Sequence, residues 1–218
     1  MTSHSRSVFL KTIALSVTLT LLYVVVKPTS SPPANPEASL PNHLSLPGWE
    51  AQKTQSIEPS PSNSKYNRIV SGQRYLYRQG DRSLQIAVRY VVETEGDIGQ
   101  FIADTDESWG KTPISFEDRQ STQGFYRLFT QQNQAYLQSC LNLNGHTTVT
   151  QTQFRQNAYR QALQPEQWLN WLISQRPLLE RRCFWIQIST PVVEQNIHLT
   201  HATLEQSWKT LVSSWRSD

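Results

Sequence analysis

The run Arg74–Val92, RYLYRQGDRSLQIAVRYVV, decides the fold of the chain. Two stretches, Arg74–Arg78 and Ser83–Val92, flank Gln79-Gly80-Asp81-Arg82, where glycine and aspartate supply turn chemistry. Leu84, Ile86, Val88 and Tyr90 alternate along the second stretch and so share one face of a strand. The pair predicts an antiparallel hairpin with one face turned to a core.

Toward the C-terminus, Asp97 is placed to cap a short helix carrying Ile98, Phe101 and Ile102. The surrounding Glu93–Glu107 stretch has acids at 93, 95, 97, 104, 106 and 107 and no base. It lacks the D-x-D-x-D-G spacing that gathers oxygens around calcium, so it reads as a solvated loop face. Gly124–Thr130 and Gln134–Leu143 form a second hairpin around Gln131-Gln132-Asn133, and Thr147–Phe154 continues as a threonine-rich strand. Pro165 suits the first turn of a helix in PEQWLNWLISQR, where Trp168, Leu169, Trp171 and Leu172 make an apolar stripe that Pro177 ends. Cys183–Ser189 reads as a compact strand. The terminal helix, expected to begin near Thr200, sets Leu204, Trp208, Leu211, Val212 and Trp215 at helical spacing. Runs of strands with two or three packed helices predict an α+β domain with a mostly antiparallel sheet.

Toward the N-terminus, Leu40–Gln52 reads as the first ordered piece, with Leu44 and Leu46 between turn residues and Trp49 plugging the core. Ser56–Ser64 is a proline- and serine-rich loop. Residues 27–39 hold Pro28, Pro32, Pro33 and Pro36 and read as an extended linker. Before it lies Val8–Val26, VFLKTIALSVTLTLLYVVV, whose nineteen residues would span about 28 Å as a helix. A bilayer core is about 30 Å thick, so residues 8–26 are expected to be a transmembrane signal anchor. Arg6, Lys11 and the terminal amine outweigh Lys27, which makes residues 1–7 cytoplasmic and residues 40–218 an extracytoplasmic (periplasmic) domain of a single-pass plasma-membrane protein. A cleaved signal peptide is the competing reading, although KPTSSPPANPEAS after the apolar run has no A-x-A pattern.

Arg6, Lys11 and Lys27 account for the whole formal charge of +3, leaving 17 bases and 17 acids in the remainder. A nucleic-acid partner wants a net basic face, and the balance gives no reason to expect one. Cys140 and Cys183 read first as one disulfide on the oxidising side of a membrane, worth roughly 4 kcal/mol by loop-closure entropy; two buried thiols are the alternative. Thiol catalysis would need Cys140 near His146, His198 or His201, or Cys183 with its pKa lowered by Arg181 and Arg182. A disulfide would remove both nucleophiles, so no catalytic residue is assigned. His198-x-x-His201 shares one helical face only if the helix runs through both, and no acid or cysteine nearby completes a ligand set, so no metal or cofactor is assigned. The helical tryptophans read as core, leaving Trp49 and Trp109 for carbohydrate contact.

The segments YLQSCLNLNGHTTVTQTQFRQNAYRQ (Tyr136–Gln161) and ERRCFWIQIST (Glu180–Thr190) carry a resemblance. Its strongest parts are Cys-x-x-x-x-Gly at Cys140–Gly145 and Arg-Arg-Cys-x-Trp at Arg181–Trp185. With LPGW at Leu46–Trp49 and a tryptophan-bearing terminal helix, the chain resembles the cyanoexosortase A system-associated proteins, a branch of the exosortase-associated accessory proteins of protein-sorting and exopolysaccharide loci. The resemblance covers most of the chain in scattered pieces. It implies a non-enzymatic companion of a multispanning exosortase-type membrane peptidase, in which the catalytic cysteine belongs to the peptidase. Secreted sorting substrates or polysaccharide would be further partners. The glutamine-rich middle, Gln120–Gln167, is not tied to the family and reads as polar surface. A periplasmic cysteine-dependent hydrolase or transferase and a polysaccharide-binding module are the alternative functions.

Overall fold

A computed structural model describes residues 11–18, 40–59, 66–105, 114–174, 177–193 and 196–215. The chain divides into two units, Met1–Pro36 and Glu37–Asp218. In the first, a helix α1 is described over residues 11–18. Among the described residues no helix is long and apolar enough to cross a membrane, which corrects the expected transmembrane helix. Its expected ends, Val8 and Val26, lie outside the described residues, as does the linker at 27–39.

The second unit is an α+β fold built on one mixed eight-stranded sheet, ordered β1-β2-β3-β8-β6-β7-β5-β4. The opening hairpin consists of β2 (Arg68–Gln79) and β3 (Arg82–Val92). Gly80 turns the chain at φ +58, a left-handed conformation that glycine adopts without steric penalty. Strand β1 (Glu50–Ile57) forms the outer edge, and β8 (Cys183–Pro191) pairs with β3 on the inner side. The second hairpin joins β5 (Gly124–Gln131) to β6 (Gln134–Leu141), with β4 (Glu117–Ser121) at the far edge. Its two turn residues, Gln132 and Asn133, both have positive φ, the mirror-image turn that matches strand twist. Strand β7 (Thr147–Thr148) wedges between β5 and β6 where they diverge, and its contact with Gly124 is the parallel pairing that makes the sheet mixed.

The expected strand Thr147–Phe154 stops after two residues. Thr150 instead caps α3 (Gln151–Ala162) in a capping box with Gln153. The Thr150 hydroxyl accepts from the Gln153 N–H at 3.3 Å, and the Gln153 amide oxygen accepts from the Thr150 N–H at 3.3 Å. Among the described residues four helices accompany the sheet in this unit, one more than the upper expectation: α2 (Ile98–Thr105), α3, α4 (Pro165–Ser174) and α5 (Ile197–Trp215). Asp97 caps α2, its carboxylate accepting from the Gly99 N–H at 2.8 Å. α5 begins before Thr200 because Asn196 takes the capping role, accepting from the Leu199 N–H at 3.0 Å.

Both sheet faces carry apolar side chains, so two cores form. On one, Leu204, Trp208, Leu211 and Val212 of α5 pack on Tyr126, Leu128, Leu137, Ile186 and Ile188. Leu44 and Leu46 join that core, with Trp49 half-buried against it. On the other, Ile98, Phe101 and Ile102 of α2 and Phe154 of α3 cover Trp185, Phe129 and Val149. Gly96, at φ +66, passes so close to the Phe154 ring that a Cβ there would strike it. Cys140 and Cys183 lie in this second core, joined as a disulfide between β6 and β8 with Cα atoms 5.7 Å apart.

Trp168 and Trp171 depart from the expected buried stripe: they are 46% and 44% exposed and pack edge to face on each other at 6.0 Å. Their helix neighbours α3 rather than lying across the sheet, so it has no broad apolar surface on which to bury both rings. The side chains of Leu169 and Leu172, and the whole of Trp109, lie outside the described residues.

Candidate functional site on the open face of the sheet

Strand alternation sorts the polar residues of the central strands onto one face. In β2, Arg74, Leu76 and Arg78 point opposite to Tyr75 and Tyr77, which are buried in the first core. Pairing carries this row structure across the sheet. Leu76 stands opposite Gln85, Gln85 opposite Ser189, and Ser189 opposite Tyr136. One row further in, Arg74, Ala87, Gln187 and Gln138 lie side by side, followed by Arg89, Trp185 and Cys140.

α2 and α3 cover the end of this face around Trp185 and Cys140. Over the remainder is a cavity of about 740 Å³, lined among others by Gln52, Arg78, Arg82, Gln85, Gln134, Tyr136, Gln187 and Ser189. Among its described lining residues Asp81 is the one acid. Buried amides order the floor: the Trp185 indole N–H donates to Gln138 Oε1 at 3.3 Å, and Gln138 Nε2 donates to Gln187 Oε1 at 3.3 Å. Gln138 is fully buried, so this chain fixes how Gln187 presents its amide to the cavity.

On the same face of the sheet, Arg74 Nε and Arg89 Nη1 are buried without a hydrogen-bonding partner. Among the described residues neither arginine has an ion pair. The Arg89 guanidinium lies 4.4 Å from the centroid of the Trp185 ring, a cation–π contact that shields one of its faces. Burial, reinforced by the like charge of Arg74, pulls the Arg89 pKa down to about 10. Sequence reasoning missed this pair because its signal is two basic residues at matching parity on neighbouring strands, which becomes legible only once the register is known.

A second polar cluster lies where β4 meets α5. Arg119 bonds Glu117 at 2.7 Å and also binds Glu205, which raises its pKa. His201 is buried beside them with Nε2 unpartnered, and burial together with Arg119 lowers its pKa. The helix does run through both His198 and His201, contrary to the expected start near Thr200. Among the described residues no group of three or more His, Cys, Asp or Glu side chains is arranged to hold a metal ion. A lowered histidine pKa means that the unfolded chain takes up a proton before the folded one. Stability is therefore expected to fall as pH drops below about 6.5 toward the folded pKa. Urea midpoints at pH 7.5 and 5.5 should differ more for the wild type than for His201→Asn; equal differences would remove His201 from the account.

The remaining sequence candidates do not converge. Both cysteine sulfurs are in the disulfide, so neither supplies a thiolate in this state. Arg181 pairs with Glu95 at 3.6 Å, and Arg182 forms a bidentate pair with Glu180 at 2.5 and 2.6 Å. Arg68 answers Glu93 at 3.7 Å and Asn67 donates to Asp104 at 3.0 Å, while Asp106 and Glu107 lie outside the described residues. No known protein family, curated protein or solved structure matches the chain.

Proposed function

We propose that this chain is an extracytoplasmic, non-catalytic accessory protein of an exosortase-type sorting system, which holds an exported client for a multispanning membrane peptidase. The observation that carries the reading is the polar cavity that the described residues leave on this face of the sheet. A cavity of about 740 Å³ lies over an ordered floor of amides, a construction suited to recognising a polar ligand. The disulfide supports an oxidising compartment, where such bonds persist. The resemblance of Cys140–Gly145 and Arg181–Trp185 to the accessory family supports the peptidase as partner.

A photo-crosslinking residue at Ser189, on the floor, tests the reading when compared with one at Leu163, on α3's exposed end. Crosslinks to an exported client from Ser189, together with copurification of the peptidase, are the expected result. Client crosslinks only from Leu163, or normal sorting in a deletion strain, would overturn it.

A further inference from the structure

The large apolar side chains that stay exposed in the second unit are not scattered. Among the described residues, six of the nine lie between positions 143 and 179: Leu143, Tyr159, Leu163, Trp168, Trp171 and Leu179. Tyr159 and Leu179 line one small cleft, and Leu143 lines a second with Pro177 and Leu178. Leu163, at the C-cap of α3, is 77% exposed, and α4 follows it directly with its edge-to-face tryptophans. Single apolar side chains on a surface need no explanation, but a concentration of them marks a place where something binds.

Charge points to what binds there. Residues 143–182 hold five arginines and two glutamates, a balance of +3. Residues 28–218 hold 17 bases and 17 acids, so the remainder of that span keeps 12 bases and 15 acids, a balance of −3. Two acids near the clefts are already taken, Glu95 by Arg181 and Glu180 by Arg182. Arg155 and Arg160, exposed on α3, have no ion pair among the described residues. Arg155, Tyr159 and Leu163 are spaced four apart, which sets them along one line of the helix, and Arg160 is three before Leu163. A charge split on this scale turns one side of a molecule toward an extended anionic surface. Tryptophan and tyrosine complete the pattern, because their rings settle at the headgroup level of a bilayer with the polar tip in water. A protein partner would have to supply a pocket for each ring, whereas a bilayer takes them beside basic side chains without one. We propose that the corner formed by α3 and α4 rests in the headgroup layer of an anionic bilayer. Leu163, Trp168 and Trp171 enter the layer, and Arg155 and Arg160 meet lipid phosphates. The contact uses none of the residues that line the cavity, so it holds or fails apart from the client reading.

The test attaches an environment-sensitive fluorophore to Leu163→Cys in the full-length protein, whose own two cysteines are held in the disulfide. Leu199→Cys is the control, half exposed on α5, which packs on the other face of the sheet. On vesicles of one part phosphatidylglycerol to two parts phosphatidylcholine, the Leu163 probe is expected to brighten several-fold and shift to the blue. The Leu199 probe should not change, and phosphatidylcholine alone should have little effect on either. Trp168→Ala combined with Trp171→Ala should remove most of the rise. Arg155→Gln and Arg160→Gln should each increase the lipid concentration at half rise by about fivefold, the worth of one basic residue at an anionic surface. All four side chains are exposed, so these variants are expected to melt within about 4 °C of the wild type. Cosedimentation with vesicles but no response at Leu163 would place the contact elsewhere in the chain and overturn the proposal. So would equal responses at Leu163 and Leu199, equal brightening on neutral vesicles, or a rise untouched by the tryptophan and arginine variants. A rise that needs only more protein and no lipid would overturn it in favour of a second copy of this chain. A photo-crosslink from Leu163 to the peptidase, with no vesicle response, would overturn it in favour of that protein.

Discussion

Replacing both Cys140 and Cys183 with alanine is expected to lower the unfolding free energy by about 4 kcal/mol. The two residues are 43 apart in sequence, and the entropy of closing a loop of that length in the unfolded chain sets the figure. For a unit of this size each kcal/mol moves the melting temperature by about 2–4 °C, so the midpoint should drop by roughly 8–16 °C. Both sulfurs are fully buried among Val149, Phe154 and Trp185, so alanine also leaves space that the core must close. Burial adds a kinetic expectation: a mild thiol reductant should act slowly on the folded protein and quickly in urea. Thermal and urea melts of the double variant provide the measurement. A midpoint within 2 °C of the wild type would show that the bond contributes little, and rapid labelling of either cysteine without reduction would show that it does not form.

The other large effect is expected at Trp208. It is fully buried in α5, its ring centroid 4.7 Å from that of Tyr126, and its indole N–H donates to the Ser139 hydroxyl at 2.8 Å. Trp208→Ala removes the main apolar contact between α5 and the sheet and should cost about 3–5 kcal/mol. It also takes a donor from Ser139, which is itself fully buried. Trp208→Phe keeps a ring and loses that bond, so it separates packing from hydrogen bonding with an expected loss of about 1–2 kcal/mol. Trp168→Ala and Trp171→Ala serve as comparison, since these half-exposed rings should each change stability by only about 0.5 kcal/mol. Urea unfolding of the four variants gives the ranking, and a Trp168 or Trp171 effect equal to that of Trp208→Ala would contradict the burial described for α4.

The differing fates of these tryptophans separate local from long-range information. Helical spacing predicts that Trp168, Trp171 and Trp208 each lie on an apolar stripe, and all three do lie on helices. What spacing cannot tell is whether a stripe has anything to pack on. α5 packs on one face of the sheet, whereas among the described residues α4 neighbours α3. At Thr147–Phe154 two local signals compete: T-x-x-Q at Thr150–Gln153 is a capping signature, and threonine's β preference points to a strand. The expected membrane span rests on apolar length and flanking charge, and among the described residues no helix is long and apolar enough to cross a membrane.

Taken by itself, the order of residues determined the two hairpins, the alternation that buries Leu84, Ile86, Val88 and Tyr90, the apolar face of the terminal helix, and the α+β class. These depend on neighbours two to four positions apart, which the sequence displays directly. The register decided the rest. It set β8 between β3 and β6, and that placement brought Cys140 to Cys183 and laid Gln187 and Gln138 side by side. It also put Arg74 beside Arg89 on a face whose charge the balanced composition conceals. Such contacts join residues far apart in the chain, and their chemistry exists only where folding has already brought the strands together.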